Sequence, residues 1–265
     1  MTRLDKYLHN VLKIESREKA KQEILNGNIL INGKVVKKPA YIVEVEDTVE
    51  ITKISMKFVG RGGDKLSYAL DIFNINLVDK IALDIGASTG GFTDCMLQNN
   101  VKKVYAVDVG TNQLHKSLIN NKKVIVMENT DIRHLYNKDI IEDKISFFTI
   151  DVSFISIKKI LNSVVDIVGN SCMGVILLKP QFEVGKEFVG KNGIVSNKSY
   201  HVKLLKDIYR FLVLNKMEIT NIINSPITGK KGNVEYLILL NGNKKKNIQI
   251  SFENIVNSGF LLRNK

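Results

Sequence analysis

Cysteine is scarce in this 265-residue chain, which carries only Cys95 and Cys172, both inside apolar periodic segments. Such cysteines are typical of buried thiols in a reducing compartment, which argues against a disulfide framework or a cysteine-ligated metal site. No apolar run approaches the roughly 20 residues that span a bilayer. The N-terminus carries charge from Arg3 onward and lacks the apolar core of a signal peptide. We therefore expect a cytoplasmic protein without metal and without stable membrane association.

Positive charge is in excess. The chain has 39 lysine and arginine residues against 27 aspartate and glutamate residues, for a formal net charge of +12. A bias of this size predicts an anionic partner, most often a nucleic acid and otherwise an anionic lipid. The alternative is a general drift of composition toward lysine and asparagine. The length suits one large α/β domain with a smaller one.

Residues 1–53 have the pattern of a small α+β domain. Two helices are predicted, the second over residues 17–26 with Ser16 as its cap. Asn32-Gly33 between β-branched runs predicts a hairpin, and alternating strands follow. Leu4, Leu8 and Leu12 have helical spacing, and Ala20, Ile24 and Leu25 of the second helix are expected to face inward. We predict a linker over residues 54–60 and a second domain over residues 61–265.

Basic residues are concentrated in the early part of this small domain, whereas several of its acids lie on the later strands. A single basic face that contacts phosphates explains this distribution. The alternative is a solvated helix face, because Glu15, Glu18 and Glu23 alternate with the lysines. The candidate RNA-binding residues of this domain are Arg3, Lys6, Arg17, Lys19, Lys21 and Lys34.

From residue 61 onward, predicted strands and helices alternate regularly, which is typical of a parallel sheet with helices on both faces. The last two predicted strands, over residues 219–223 and 234–240, are too close in sequence for a crossover helix. They are therefore expected to form an antiparallel pair at the edge of the sheet. The five earlier strands are predicted over residues 81–85, 104–109, 124–127, 145–151 and 175–179.

A glycine-rich turn follows the first of these strands and opens a helix, which is where doubly wound folds bind nucleotides. The P-loop ending is absent, and the next strand ends in Asp108, about 20 residues on, where a ribose diol is held. A ligand with a ribose, an amine and a sulfonium but no phosphate suits these groups, which points to S-adenosylmethionine. The alternative is a glycine turn without a ligand. The candidate cofactor residues in the turn are Asp84, Gly86, Ala87, Ser88, Thr89, Gly90, Gly91 and Phe92.

Charged residues stand at the ends of other predicted strands. Asp151 and Lys179 each end an apolar run, Glu235 lies just inside the last strand, and Lys65 lies in the helix before the sheet. Because buried charges are costly unless paired, the acids and lysines are expected to face each other. Beside a methyl donor they suit deprotonation of a ribose 2′-hydroxyl, with a neutral lysine amine as base and the acids orienting the amines. The alternative for each residue alone is an ordinary ion pair.

Two resemblances follow from these motifs. The segments Arg3-Leu4-Asp5, Ser16-Arg17-Glu18-Lys19-Ala20 and Ile31-Asn32-Gly33, with Gly27 between them, resemble the S-four RNA-binding domain first seen in a small-subunit ribosomal protein. That domain reads structured RNA by its backbone and shape. The resemblance covers the whole of the first predicted domain.

The second resemblance covers almost the entire chain and is collinear. It is carried by Arg61-Gly62-Gly63-Asp64-Lys65-Leu66, by residues 84–94, by Asp151-Val152-Ser153-Phe154-Ile155-Ser156, by Lys179-Pro180-Gln181-Phe182-Glu183 and by residues 232–236. The chain is thereby similar to the TlyA family, which joins an S-four domain to a domain like the FtsJ ribose methyltransferases. The fold expected is a Rossmann-like class I methyltransferase α/β sheet with an antiparallel last strand, preceded by the small α+β domain.

The TlyA resemblance implies ribosomal-RNA cytidine 2′-O-methylation with S-adenosylmethionine, and ribosomal RNA or ribosomal subunits rather than DNA as partner. It also implies a catalytic Lys-Asp-Lys-Glu tetrad, which falls on Lys65, Asp151, Lys179 and Glu235. Asp131 departs from the amide expected in relatives and is expected to hydrogen-bond the adenine amine. Arg61 is added to the candidate RNA-binding residues.

Two other functions remain open at this point. Members of the family have been called haemolysins, so one alternative is a cytolysin that acts on membranes, although the chain offers no evident long amphipathic membrane helix. The other is an RNA-binding assembly factor whose methyltransferase domain is inactive. The intact glycine turn and the four charged residues argue against that second alternative.

Overall fold

The computed structural model describes residues 1–12, 14, 16–52, 57–135, 141–241 and 250–263, leaving aside the side chain of Lys19. The chain divides into two compact units, Met1–Met56 and Lys57–Lys265. The linker predicted over residues 54–60 stays a prediction, since residues 53–56 lie outside the described residues and residues 57–60 belong to the second unit.

The first unit packs two helices on short antiparallel strands. Asn32 and Gly33 have φ angles of 52° and 74°, so the predicted hairpin turns through two left-handed residues, as the right-handed twist of its strands favours. Strand β2 is central in a sheet of order β3-β2-β5, and β1 pairs with β4. The elements are β1 Thr2–Arg3, α1 Leu4–Asn10, α2 Arg17–Leu25, β2 Ile29–Ile31, β3 Lys34–Val35, β4 Ile42–Val43 and β5 Val49–Ile51.

Most of the predicted helix faces of this unit are buried together in one apolar cluster, but two residues are not. Leu12 lies beyond the end of α1 at Asn10 and is 38% exposed, and Leu25 is 57% exposed. The prediction that Leu25 faces inward is therefore wrong, and Leu12 does not continue the helix that its spacing suggested. The reason is that α1 stops before its third turn is complete and that Leu25, the last residue of α2, falls on its outer side.

A buried carboxylate ties the two helices together. Asp5 is fully buried, and its oxygens accept hydrogen bonds from Nε of Arg3 at 3.0 Å and from Nε of Arg17 at 2.9 Å. Burial alone would raise the pKa of Asp5, but the hydrogen bonds from the two guanidinium groups outweigh burial and lower it to about 2. Asp5 is thus an ionised anchor beneath two half-exposed arginines.

The second unit is built on one seven-stranded mixed sheet of order β11-β12-β10-β9-β6-β7-β8. Strands β8, β7, β6, β9 and β10 are parallel, and β12 runs antiparallel to both β10 and β11. The predicted parallel sheet with an antiparallel pair at its edge is therefore confirmed. The strands are β6 Ile81–Ile85, β7 Lys103–Val107, β8 Val124–Met127, β9 Phe147–Ile150, β10 Met173–Leu178, β11 Ile219–Asn224 and β12 Tyr236–Leu240.

Helices cover both faces of this sheet, because successive side chains of its buried strands point to opposite sides. Ala82, Phe147 and Val175 belong to the core cluster under α3 and α4, whereas Ile150 and Ile176 belong to the cluster under α6 and α8. Helix α9 was not predicted from the sequence. The helices are α3 Gly62–Phe73, α4 Gly91–Gln98, α5 Lys116–Ile119, α6 Leu161–Val168, α7 Pro180–Glu183, α8 Lys198–Leu214 and α9 Phe252–Arg263.

The anchor at Asp5 gives the first unit a specific acid sensitivity. Its carboxylate has an ordinary pKa of 3.8 when unfolded and about 2 when folded, so it stabilises the fold above about pH 4. That contribution, about 2 kcal/mol, is lost as the pH falls through 2. Urea titrations at several pH values, followed by peptide-resolved hydrogen exchange of residues 2–49, measure it in the full chain.

Asp5→Asn should remove most of this acid-sensitive stability and lower the stability of the first unit at neutral pH. The control is Glu46→Gln, which removes an exposed carboxylate that has no ion-pair partner among the described residues. Equal acid sensitivity in the wild type and in Asp5→Asn would contradict the anchoring role.

Candidate active site

Three of the predicted catalytic residues lie at one edge of the sheet. Asp151 follows β9, Lys179 follows β10, and Glu235 directly precedes β12. Since β12 is antiparallel to β10 with Leu178 opposite Tyr236, its beginning lies beside the end of β10. The period of two along each strand puts all three on the face covered by α3. Helix α3 carries the fourth predicted residue, Lys65, in its first turn.

The four side chains form two lysine–carboxylate pairs. Nζ of Lys65 lies 2.5 Å from Oε2 of Glu235, and Nζ of Lys179 lies 2.6 Å from Oδ1 of Asp151. Lys65 and Glu235 are 7% and 3% exposed, so this pair is held almost without water. Breaking a pair of this kind by removing one partner leaves a buried charge uncompensated and costs roughly 3–5 kcal/mol. The arrangement is therefore a fixed feature of the folded unit.

Two buried acceptor atoms near these pairs receive no hydrogen bond from any described donor. They are Oδ1 of Asp151 and Oε1 of Gln181. The first of these forms an ion pair with Lys179 but accepts no hydrogen bond from it. The amide nitrogen of Gln181 lies 3.4 Å from Oε1 of Glu235, which brings it to the second pair. Buried acceptors normally have donors, so each of these two atoms is suited to an O–H or N–H donor supplied by a bound molecule.

The segment after Asp151 presents an aromatic side chain that sequence reasoning left without a role. Phe154 is 91% exposed, has a φ angle of 65° and stacks at a tilt on Phe182, with ring centroids 4.9 Å apart. A bulky residue in the left-handed region is strained and is found where function requires it. Glu183 holds the segment by accepting hydrogen bonds from Ser156 at 2.6 Å and from the backbone of Ile157 at 2.8 Å.

The glycine turn lies against the same groups. Gly86 has a φ angle of 82°, and a Cβ atom there would lie 2.6 Å from the carbonyl oxygen of Asp151. A Cβ atom at Gly90 would collide with Leu118, and one at Gly91 would lie 2.9 Å from the backbone nitrogen of Gly63. The glycines are thus required by close contacts within the protein, and these contacts bring the turn to both Asp151 and α3.

Two of the predicted cofactor residues lie in the core. Asp84 is fully buried, and its carboxylate accepts hydrogen bonds from the hydroxyls of Thr93 at 2.6 Å and Thr149 at 2.8 Å. Burial raises the pKa of Asp84 to about 6, although both hydroxyls favour the charged form. Phe92 is 3% exposed and packs near Gly62. These contacts support a packing role for both residues, and their direct contact with a cofactor stays a prediction.

The exposed part of the turn is better placed for a ligand. Asp108 accepts hydrogen bonds from the backbone nitrogens of Ser88 and Gly110, both at 2.7 Å, which fixes its carboxylate at the end of β7. Carboxylate oxygens accept more than one hydrogen bond each, so Asp108 retains capacity for ribose hydroxyls. Ser88 and Thr89 are exposed, whereas Ala87 is buried. Asp108, Ser88 and Thr89 therefore fit the predicted ligand.

The segment after β8 is held by two acids. Asp131 begins a 3₁₀ turn and pairs with Arg133, which lowers the pKa of Asp131 to about 2. This contact occupies the carboxylate that was predicted to meet an adenine amine, and that role stays a prediction. Glu128 accepts hydrogen bonds from the backbone nitrogens of residues 112–114 and so shapes the neighbouring loop. Sequence reasoning did not single out Glu128.

A polar cluster of buried side chains fixes the approach to Glu235. The amide of Asn233 binds the backbone of Gly193 and Val195, and the ring of His201 bridges the carbonyl of Val195 and the hydroxyl of Tyr236. Burial lowers the pKa of His201, so the neutral ring is favoured. Sequence reasoning also missed this cluster, because its members are far apart in the chain.

The candidate RNA-binding residues differ in their partners. Arg3 and Arg17 share Asp5, and Lys21 pairs with Glu18 at 3.2 Å. In the second unit, Nη2 of Arg61 donates to the carbonyl of Thr228 at 2.8 Å. Lys6 and Lys34 are exposed and meet no acid within the described parts of the chain. The side chain of Lys19 lies outside the described residues.

Comparisons with known proteins decide the family. The model of the FtsJ-like methyltransferases matches residues 58–242, and the model of the S4 domain matches residues 2–49. The 16S/23S rRNA (cytidine-2′-O)-methyltransferase TlyA of Mycobacterium tuberculosis is 36% identical over 85% of this chain and 84% of its own length. The chain belongs to the TlyA family.

Other relatives in the TlyA family carry a different name. The protein named Hemolysin A of Brachyspira hyodysenteriae is 42% identical over 89% of this chain and 98% of its own length. A solved structure from Streptococcus thermophilus, described as a candidate hemolysin, is 38% identical. The match covers 99% of this chain and 97% of the S. thermophilus chain, with a TM-score of 0.78. No helix among the described residues is long and apolar enough to cross a membrane.

Membership of the TlyA family confirms the predicted class of enzyme, a methyltransferase, and its predicted cofactor, S-adenosylmethionine. It also confirms the predicted order of a small RNA-binding domain followed by the sheet domain. Family membership does not decide the roles of individual residues, which remain predictions.

The contact between Gly86 and Asp151 predicts a site-specific effect on cofactor binding. Gly86→Ala adds a Cβ atom that meets the Asp151 carbonyl, so the turn and the end of β9 must separate. Calorimetry with S-adenosylmethionine should show affinity reduced at least about tenfold, an effect of roughly 1.4 kcal/mol.

The matched control is Gly169→Ala. Gly169 has a similar φ angle of 80° with ψ at 153°, a region nearly confined to glycine, and nothing lies within 4 Å of the added Cβ atom. This variant carries the backbone strain without the collision and should bind the cofactor normally. Equal affinity in both variants would show that the turn does not position the ligand.

Proposed function

We propose that the protein transfers the methyl group of S-adenosylmethionine to the ribose 2′-hydroxyl of a cytidine in ribosomal RNA. The observation that carries the proposal is the pair of lysine–carboxylate contacts beside the glycine turn. The specific reaction is the one named for the M. tuberculosis relative. An rRNA substrate also supports the predicted cytoplasmic location.

The chemical difficulty of this reaction is the acceptor. A ribose hydroxyl is a very weak acid and must lose its proton while its oxygen forms the new bond to carbon. When bound, S-adenosylmethionine supplies an electrophilic methyl group on a sulfonium, whose positive charge favours the neutral form of a nearby amine. The protein must therefore supply a base and hold the hydroxyl in line, and holding both reactants is itself a large contribution to the rate.

Lys179 is assigned as the base. Its Nζ lies between Oδ1 of Asp151 and the hydroxyl of Ser153, at 2.6 Å and 3.0 Å, so its direction is fixed. The free hydrogen-bonding capacity of Asp151 Oδ1 suits the acceptor hydroxyl. Asp151 favours the charged amine and so opposes the base role, which the neighbouring sulfonium charge offsets. As the ribose oxygen forms its bond to the methyl carbon and the bond from that carbon to sulfur breaks, the neutral amine of Lys179 takes the hydroxyl proton.

Lys65 and Glu235 are assigned to positioning. Their mutual contact at 2.5 Å leaves Glu235 neutralised and in reach of the Gln181 amide. The pair fixes the start of α3 over the start of β12, beside the strand end that carries Lys179. The amide of Gln181, which donates to Glu235, is held in place by the same pair.

The exposed ring of Phe154 supports an RNA substrate at this edge. Enzymes that act on a nucleotide within folded RNA move it out of its stack, and aromatic side chains then stack on the base. Phe154 offers such a surface three residues after Asp151 and is backed by Phe182. A cytolysin would need neither this ring nor the paired lysines, and an inactive binder would not need the paired lysines.

The base assignment predicts the outcome of Lys179→Ala. Methyl transfer to ribosomal subunits should fall at least about 100-fold, because the proton has no acceptor, while affinity for S-adenosylmethionine is retained. Radiolabelled transfer and calorimetry measure the two quantities. The control is Lys206→Ala, which removes the lysine of a surface pair with Glu253 in the same unit. Near-normal turnover by Lys179→Ala would exclude Lys179 as the base.

The first unit is assigned to RNA binding through lysines that acids do not already hold. Lys6→Gln with Lys34→Gln should raise the KM for ribosomal subunits severalfold and weaken its salt dependence, with kcat unchanged. The control double variant is Lys203→Gln with Arg210→Gln, which removes two exposed charges from α8. If both double variants shift KM equally, the first unit has no specific role.

A further inference from the structure

A cavity of about 330 Å³ adjoins the candidate active site. One wall is Glu235 with the neighbouring Val234, another is the loop from Ser225 to Thr228, and the end of α9 closes it. Arg61 and Arg263 both line this cavity. The cavity and the Lys65–Glu235 pair therefore share a residue, so a molecule that enters the site can extend into the cavity.

The two arginines differ from the lysines of the active site in having no acidic partner. Arg61 donates one hydrogen bond, to the carbonyl of Thr228, and the guanidinium of Arg263 lies 5.8 Å from the ring centroid of Phe260. Within the described ranges, neither guanidinium forms an ion pair. Glu235, the carboxylate in the wall, is neutralised by Lys65. The cavity is therefore positively charged.

Helix α9 is fixed against the segment that leads into Glu235. A Cβ atom at Gly259 would lie 2.5 Å from Cγ1 of Val234, so the helix backbone touches that segment directly. Arg263 follows Gly259 by four residues and so lies on the same face of the helix, one turn further on. The backbone of Arg263 is thus held in a fixed place relative to the segment that leads into Glu235.

We propose that this cavity binds a backbone phosphate of the RNA next to the nucleotide that is methylated, with Arg61 and Arg263 as the donors. The proposal rests on the function proposed above. Guanidinium groups present several donors in a plane and bind phosphate oxygens in pairs, which few other side chains do. A phosphate held here fixes the path of the chain relative to Glu235. The cavity thereby contributes to RNA affinity and not to the chemical step.

The experiment compares steady-state methylation of both purified ribosomal subunits by the full chain and its variants. Arg263→Gln should raise the KM for the RNA substrate roughly fivefold or more, with kcat and affinity for S-adenosylmethionine within about twofold of the wild type. The slope of log KM against log salt concentration should fall by about 0.7–0.9, the effect of one lost phosphate contact. Arg263→Lys should raise the KM less than Arg263→Gln does, because lysine keeps the positive charge.

Two further variants separate this subsite from general positive charge. Arg61→Gln should act like Arg263→Gln, and the double variant should lose less than the two single losses multiplied, because both arginines hold one phosphate. Arg210→Gln removes an exposed arginine of α8 that forms no ion pair with any described residue, and should leave KM unchanged.

Each outcome supports or overturns the proposal. An active wild type with an unchanged KM in Arg263→Gln would overturn the subsite and leave the methyltransferase function standing. An equal loss in Arg210→Gln, or a loss confined to kcat or to cofactor affinity, would also overturn it. No methyl transfer by the wild type to either subunit would overturn the proposed function and the subsite together.

Discussion

The structure of the second unit depends on the neutralisation of charge at one edge of its sheet. Lys65 and Glu235 are almost without solvent, and each would be very costly there alone. Their contact requires the first turn of α3 to lie over the start of β12, although the two residues are 170 positions apart. Lys179 and Asp151 meet the same requirement between neighbouring strands. These two contacts fix the first turn of α3 and the ends of β9, β10 and β12 relative to one another.

The backbone at the start of α3 joins these charges to the glycine turn. The nitrogen of Val59 donates to Asp94 at 2.8 Å, and a Cβ atom at Gly91 would lie 2.9 Å from the nitrogen of Gly63. The turn that is suited to the methyl donor and the helix that carries Lys65 are thus in backbone contact. A Cβ atom at Gly86 would reach the Asp151 carbonyl. The glycine turn is therefore held close to Asp151 and to the start of α3 by backbone contacts.

The sequence predicts those elements that local residue patterns determine. It does not predict the features that depend on packing between distant parts of the chain. The strands of the sheet and the charges at their ends follow from apolar periodicity and from the cost of burying Asp151 or Lys179. Helix α9 was missed because it contains asparagine, serine and glycine, which are poor helix formers, and it is stabilised by packing such as that of Gly259 on Val234. The pairing of Arg17 with Asp5 depends on how two helices meet, and the exposure of Phe154 depends on a single left-handed residue.

The central claim is that the paired lysines and acids serve the methylation of a ribose hydroxyl. The most direct measurement is mass spectrometry of nucleosides from ribosomal subunits that have been incubated with the purified protein and isotope-labelled S-adenosylmethionine. The account predicts labelled 2′-O-methylcytidine with the wild-type protein and at least about 100-fold less of it with Lys179→Ala at equal incubation time. Label on a base atom, or no label in any nucleoside, would contradict it.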